Sequence, residues 1–201
     1  MNHDVRVRPV SEGDWDGIVA LESGAYAALG LSEERSALES RVRASPGTCF
    51  ALDAEQRLAG YVLALPYPEH GYPDLTRAEE AAAVRAHHSN LHLHDLVIEE
   101  GLRGRGLAKT LLHHLLATAR SEGYERISLI AVNGSDTFWA ANGFTARPGA
   151  APTEGYGPGA VYMSRAVPAG ASPAGASPAG AVQEAAVPAA PAVPAAQDEV
   201  G

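Results

Sequence analysis

One stretch of the chain constrains its fold more than any other, namely DLVIEEGLRGRGLAKTLLHHLL from Asp95 to Leu116. An apolar segment is followed by a turn rich in glycine and arginine, and then by apolar residues at helical spacing. A further apolar segment, Arg126–Val132, comes after the predicted helix Gly106–Ser121. A strand, a helix and a second strand in this order predict two parallel strands joined by a crossover.

The rest of the first 166 residues predicts strands and short helices around this unit. Val5–Val10 alternates apolar and charged residues, as a half-buried strand does, and Ser11 is typical of a helix N-cap. We expect a mixed α/β (α+β) fold, with a mostly antiparallel sheet, one central parallel step and flanking helices. The remaining predicted elements are a hairpin of Thr48–Asp53 and Arg57–Leu65, a helix from Ser32 to Arg43, a long loop Pro66–Asn90, a strand Leu91–Glu99, a short helix Ser135–Ala141, and strands near Phe144–Arg147 and Ala160–Arg165.

Charge and composition exclude several classes of protein. The formal net charge is −9, which argues against a non-specific nucleic-acid binder. No apolar run approaches the roughly 20 residues of a membrane span, and no apolar leader follows Met1. The single cysteine, Cys49, forms no intrachain disulfide and is expected to be buried in a strand. We expect a cytoplasmic protein with no nucleic-acid or membrane partner, as a monomer or homodimer.

The composition changes at about Val167. Residues 167–201 repeat the unit GASPA, contain six prolines, and lack aromatic residues, Leu and Ile. Such a segment buries too little apolar area to offset the entropy of ordering it. We therefore predict a folded domain at 1–166 and a disordered tail at 167–201, which is either an inert extension, the favoured reading, or a partner-binding segment. The tail carries three acidic residues, so the formal charge of the rest is −6.

The turn from Arg103 to Lys109 has the features of an anion site. A helix N-terminus presents free N–H groups, and glycine allows an anion to approach the backbone closely. A plain tight turn with solvated arginines explains the same residues. The turn lacks both the G-x-x-x-x-G-K-[ST] pattern and the complete dinucleotide fingerprint, so neither nucleotide-binding class is favoured.

Two signatures together resemble a known family. Arg103, Gly106 and Ala108 form R-x-x-G-x-A between a strand and a helix, which resembles the acyl-CoA motif of the GNAT superfamily of N-acyltransferases. The downstream segment AVNGSDTFWAANGF, Ala131–Phe144, is similar to the second signature of that family. The resemblance covers roughly residues 4 to 166. It implies an N-acetyltransferase that uses acetyl-CoA as the acyl donor.

The resemblance also implies a set of cofactor-binding residues. The turn would hold the CoA pyrophosphate, the main chain of Val97 and Ile98 would pair with the pantetheine arm, Asn133 would contact that arm, and Phe138 would pack nearby. Core packing explains Phe138 as well. The turn residues assigned to this site are Arg103, Gly104, Arg105, Gly106, Leu107, Ala108 and Lys109.

The histidines before the turn are candidates for catalysis. Strand alternation places His92 and His94 on one face and Asp95 on the other. The stretch HLHDLVI is similar to HLHALAV of the arylalkylamine N-acetyltransferases, which implies His94 as the main base and His92 as its assistant. They would deprotonate a primary amine, of a small molecule or a peptide, that attacks the thioester directly, with a backbone N–H of Leu96–Ile98 holding the oxyanion. Histidines that merely line a polar cavity or cap the sheet explain the same pattern.

Two further observations qualify this interpretation. The HLHD segment is similar to the H-x-H-x-D-H of zinc hydrolases, but no histidine follows and Asp95 is expected to face away, so we expect no metal. Many family members have a tyrosine at the position of Trp139, where it protonates the thiolate; an indole cannot do so. Tyr156 and then Tyr162 are the nearest substitutes, and a non-catalytic acyl-CoA-binding or sensor module is the alternative function.

Overall fold

The sheet contains one parallel strand pair. The computed structural model describes residues 5–79, 89–150 and 153–168. Within them, the strands follow the order β1-β2-β3-β4-β5-β7-β6, and only β4 and β5 run parallel. The predicted mixed sheet with a central parallel step is therefore confirmed. The strands are β1 (Val5–Pro9), β2 (Phe50–Ala54), β3 (Arg57–Pro66), β4 (Asn90–Ile98), β5 (Arg126–Ala131), β6 (Thr145–Ala146) and β7 (Val161–Ala166).

In the described ranges four α-helices flank the sheet: α1 (Trp15–Tyr26), α2 (Arg35–Ala44), α3 (Leu107–Ser121) and α4 (Asp136–Ala141). The predicted N-cap Ser11 precedes a 3₁₀ turn, Glu12–Asp14, that leads into α1. The Asp14 carboxylate receives hydrogen bonds from the Ser11 N–H and hydroxyl, both 2.8 Å long. None of the helices in the described ranges is long and apolar enough to span a bilayer.

The two faces of the sheet carry separate apolar cores. Helix α3 buries one stripe against the first face, as its 3.6-residue spacing predicts. Each leucine removed from water there contributes about 2 kcal/mol to folding. Helices α1 and α2 cover the second face through Trp15, Ile18 and Leu38, which pack with Cys49 and Tyr61. The stripe of α3 consists of Leu107, Leu111, Leu112, Leu115 and Ala119.

Strand β4 contains a bulge at His94. Leu63 of β3 lies opposite Asp95, and the next residue of β3 lies opposite Leu93, so His94 is an extra residue in β4. A bulge shifts the alternation of a strand by one position. Accordingly, Leu93 before it and Leu96 after it belong to the same core. The expectation that Asp95 faces away from His94 was therefore wrong, because it assumed unbroken alternation.

The parallel strands pair only at their beginning. Three residues of β4, Asn90 to His92, are in register with three of β5, Arg126 to Ser128. Beyond His92 and Ser128 the two strands separate. The second half of β4 therefore has one edge paired with β3 and the other edge turned toward the gap.

The folded part extends slightly past the predicted domain boundary. Val167 is 8% exposed, packs in the core with α3, and donates its N–H to the carbonyl of Glu125 over 2.9 Å. The predicted disorder of the tail concerns residues 169–201, which lie outside the described residues, as do His87 and His88 of the long loop.

Candidate active site

A cleft opens where β4 and β5 separate. Its volume is about 590 Å³, and α1, the turn before α3, and α4 complete its walls. We call it the strand cleft. Seven of the residues predicted to bind the cofactor line it: Ile98, Arg103, Gly104, Leu107, Ala108, Asn133 and Phe138.

The turn at the mouth of the strand cleft presents a helix N-terminus. Gly106 directly precedes α3 with φ +82°, a left-handed conformation that a side chain would strain. No side chain of the described residues caps this end of α3. The first N–H groups of the helix are therefore available to an anion, and the positive end of the helix dipole favours one.

The other predicted cofactor residues contribute differently. The Val97 side chain packs in the α1 and α2 core, which leaves its backbone as the part able to contact an extended ligand. Arg105 lies 4.0 Å from Glu55 with half of its side chain exposed, so it can swing toward a phosphate. Gly106 and Lys109 do not line the strand cleft either.

A second, smaller space lies beside the strand cleft. Its volume is about 30 Å³. Because three of its lining residues are buried acids, we call it the acidic chamber. Tyr26, His94, Ile130 and Val132 line both spaces, so they form a common wall. The other residues of the acidic chamber are Glu22, Leu31, Glu33, Leu75, Asp95 and Tyr156.

One ring nitrogen of His94 forms a hydrogen bond, and the other has no partner among the described residues. Its Nε2 lies 2.5 Å from a carboxylate oxygen of Glu33, and its side chain is 2% exposed. Its Nδ1 is buried and has no hydrogen-bond partner among the described residues. An Nε2–H that donates to Glu33 leaves the lone pair on Nδ1, which is the form a general base requires.

The carboxylate that holds His94 is itself held by Arg41. This arginine is fully buried, pairs with Glu33, and reaches Glu79 over 2.7 Å on its other side. The hydroxyl of Tyr67 donates to Glu79 over 2.7 Å. Burial alone would raise the pKa of Glu33, but the neighbouring His94 and Arg41 outweigh it and lower that pKa. Glu33 is therefore ionised and can orient the imidazole.

Two more buried carboxyl groups border the acidic chamber. Asp95 accepts a hydrogen bond of 3.1 Å from the Tyr61 hydroxyl. Glu22 accepts one of 2.6 Å from Ser32 and one of 2.8 Å from the N–H of Glu33. Burial raises the pKa of both carboxyl groups. Asp95 thus forms a structural hydrogen bond, on the face that was not expected.

His92 lies apart from both spaces. Its Nδ1 is 3.1 Å from the Ser128 hydroxyl, and its ring packs near Tyr67 and Tyr72, with centroid distances of 6.2 and 6.3 Å. Burial lowers its pKa well below the usual value, so this histidine is neutral. This placement favours a role in packing beneath the common wall over direct proton transfer.

Two of the three aromatic residues considered for thiolate protonation, Trp139 and Tyr156, are not placed as free acids. Trp139 packs between Phe138 and Phe144, with centroid distances of 5.0 and 5.4 Å. The Tyr156 hydroxyl donates to the carbonyl of Pro73 over 2.9 Å, and burial raises its pKa. Tyr162 accepts a hydrogen bond of 3.0 Å from the His70 N–H. Tyr156 is thus a wall residue of the acidic chamber and a poor proton donor.

A metal ion has one possible location in the described ranges. Glu33, His94 and Asp95 each offer a ligand atom, and these atoms lie within 4.8 Å of one another. The bulge in β4 creates this group, because it brings Asp95 to the side of His94.

A sequence model of the Acetyltransferase (GNAT) family matches residues 15–144, which include the strand cleft, the turn and all residues of the acidic chamber except Tyr156. The chain belongs to the GNAT family. GNAT proteins are acyltransferases that use acyl-CoA, and the uncapped helix end beside a long cleft fits that donor. No curated protein matches the sequence.

Solved structures share the GNAT fold at low sequence identity. Ard1 from Thermoplasma volcanium has a TM-score of 0.61 at 15% identity and covers 81% of this chain and 97% of its own. N-acetylglutamate synthase from Neisseria gonorrhoeae, complexed with coenzyme A and N-acetyl-glutamate, has a TM-score of 0.62 at 18% identity. The match covers 83% of this chain and 36% of the synthase chain. The GphF GNAT-like decarboxylase in complex with isobutyryl-CoA has a TM-score of 0.65 at 20% identity. The match covers 81% of this chain and 100% of the decarboxylase chain.

The sequence interpretation missed the residues that surround His94. Glu33 precedes α2 next to another glutamate, and nothing in LSEERS marks it as the partner of a strand residue. Arg41 did carry a signal. It follows Leu38 by three positions, so it lies on the buried face of α2, where an unpaired arginine is rarely tolerated.

Proposed function

We propose that the protein transfers an acetyl group from acetyl-CoA to a primary amine, by direct attack of the amine on the thioester. The observation that carries this proposal is the common wall, where His94 lines both the strand cleft and the acidic chamber and has a buried Nδ1 without a partner among the described residues. A thioester in the strand cleft and an amine in the acidic chamber would meet at this nitrogen.

Each residue of the site has a proposed role in this reaction. Glu33 holds Nε2 of His94, and Nδ1 accepts a proton from the ammonium group, whose pKa near 10 otherwise prevents attack. The amine nitrogen then bonds to the carbonyl carbon and the carbon–sulfur bond breaks. A backbone N–H of Leu96–Ile98, on the edge of β4 that faces the gap, would stabilise the oxyanion. The CoA thiolate leaves and takes a proton from solvent, the amine nitrogen loses its second proton to solvent, and His94 returns the first proton there, so that the amide and the CoA thiol form with net release of one proton.

Release of CoA thiol, measured with a panel of primary amines, tests the proposal. We expect turnover with at least one amine, and a decrease in kcat of about 100-fold or more in His94→Ala with little change in the KM for acetyl-CoA. Isobutyryl-CoA, tested beside acetyl-CoA, reports whether the donor is acetyl or larger. Binding of acetyl-CoA without turnover for any amine would instead establish a non-catalytic acyl-CoA-binding module.

A further inference from the structure

The acidic chamber is short of positive charge. Glu22, Glu33 and Asp95 border it, and Arg41 is the arginine that reaches this group. Arg41 already pairs with Glu33 and with Glu79. Among the described residues, Glu22 and Asp95 have hydroxyl and N–H donors as partners but form no ion pair. Buried carboxylates without a cation are costly, so a cationic ligand would stabilise this site.

The size of the acidic chamber limits what can enter. A volume of about 30 Å³ is room for one or a few groups of the size of water, and an ammonium group is of that size. Beyond the acids, the walls are apolar or aromatic, including Leu31, Leu75 and Tyr156. An ammonium at the end of an apolar chain matches both features. The buried, unpartnered Nδ1 of His94 supplies the acceptor for one of its protons.

We propose that the acidic chamber is an ammonium subsite selecting primary amines whose amine-bearing carbon carries no carboxylate, with Glu22 and Asp95 as the residues that determine this specificity. The inference rests on the proposed function and narrows its acceptor class. An α-amino acid would bring its carboxylate against Glu22 and Asp95 in a low-dielectric site, where repulsion between like charges is strong. The raised pKa values of both carboxyl groups agree with a site that awaits a cation.

A matched pair of acceptors tests this selection. Pentylamine and norleucine differ only by the carboxylate on the carbon that bears the amine. With the full-length protein and acetyl-CoA, we expect kcat/KM for pentylamine to exceed that for norleucine by about 100-fold or more, because like-charge repulsion adds to the loss of fit. A difference below about threefold would overturn the inference while leaving amine acetylation intact.

Two isosteric variants test the residues. Asp95→Asn and Glu22→Gln are each expected to raise the KM for pentylamine about tenfold and to leave the KM for acetyl-CoA unchanged. Each should also lower the ratio of kcat/KM for pentylamine to kcat/KM for norleucine. Glu12→Gln, at an exposed position shortly before α1, is the control and should behave as wild type. Wild-type preference in both folded variants would contradict the assignment, and melting curves verify that each has folded.

A binding measurement separates this inference from the proposed function. If no amine supports turnover, calorimetry with pentylammonium and the CoA-loaded protein still decides the point: binding that weakens about tenfold in Glu22→Gln supports the subsite, and absence of binding overturns it. A divalent cation is the rival ligand, because Glu33, His94 and Asp95 lie close together. If the protein binds Zn²⁺ stoichiometrically and pentylammonium does not displace the ion, the inference is also overturned.

Discussion

The strand cleft and the acidic chamber share a wall but are built in different ways. The donor contacts proposed for the strand cleft are mainly backbone, namely the edge of β4 that faces the gap and the N-terminus of α3, which come from one continuous stretch. The acidic chamber depends on side chains from α1, the segment before α2, β4 and the loop near Leu75. A backbone site tolerates many side chains, whereas a side-chain site is specified residue by residue. In the proposed reaction, the side chains of the chamber would therefore determine the acceptor, and the backbone of the cleft would bind the donor.

Replacing Glu33 should have the largest effect on kcat of all these variants while leaving the binding of acetyl-CoA in the strand cleft unchanged. In Glu33→Gln the side-chain amide can donate to Nε2 of His94, which favours a proton on Nδ1 and removes the base. We expect kcat to fall by about 100-fold to 1000-fold, with the KM for acetyl-CoA nearly unchanged. The exposed neighbour Glu34 provides the control Glu34→Gln, which should keep full activity. Equal loss in both variants would refute an orienting role.

Removing the buried cation should cost stability. Arg41→Met leaves Glu33 and Glu79 as buried carboxylates without their shared partner. We expect the free energy of unfolding to fall by about 3–5 kcal/mol, measured by urea denaturation. Arg43→Met, two residues later with 65% of the side chain exposed, should change it by less than about 0.5 kcal/mol. Similar values for the two variants would show that Arg41 does not support the acidic chamber.

In the strand cleft, where the acyl donor is proposed to bind, replacing a single side chain should change the KM for acetyl-CoA only modestly. Arg105→Ala removes a mobile charge near the helix end but leaves the backbone N–H groups in place. We expect the KM for acetyl-CoA to rise about fivefold, equivalent to roughly 1 kcal/mol, with the KM for the amine unchanged. Arg120→Ala, at the far end of α3, is the matched control. An unchanged KM in Arg105→Ala would count against the turn as the pyrophosphate site.

The smallest effect is expected at Tyr156. Its hydroxyl donates to Pro73, so Tyr156→Phe should lower kcat by no more than about threefold. A general acid would give a loss of about 100-fold instead, and that result would restore Tyr156 as the proton donor. Tyr162→Phe, which loses only the contact with His70, provides the comparison for general loosening of the loop.

The same contrast explains what the sequence could predict. The strand, turn and helix around Arg103 are visible because local periodicity and glycine placement define them, and the structure confirms the fold they imply. The pairing of Glu33 with His94 joins residues 61 positions apart, and no local pattern reports such a contact. The face of Asp95 was mistaken for a different reason. A bulge is a tertiary adjustment, so a two-residue alternation carries no sign of it.

The extra residue in β4 has a consequence for protein engineering. Copying HLHD onto a regular strand of another scaffold would transfer the imidazole of His94 but turn the carboxyl group of Asp95 to the opposite side. Deleting His94 at the bulge of this chain would restore regular alternation, so Leu96 and Ile98 would stay in the core they share with Leu93, but the acidic chamber would lose its imidazole. The unit to be transplanted is thus the irregular strand together with its partner β3, not the four letters of the motif.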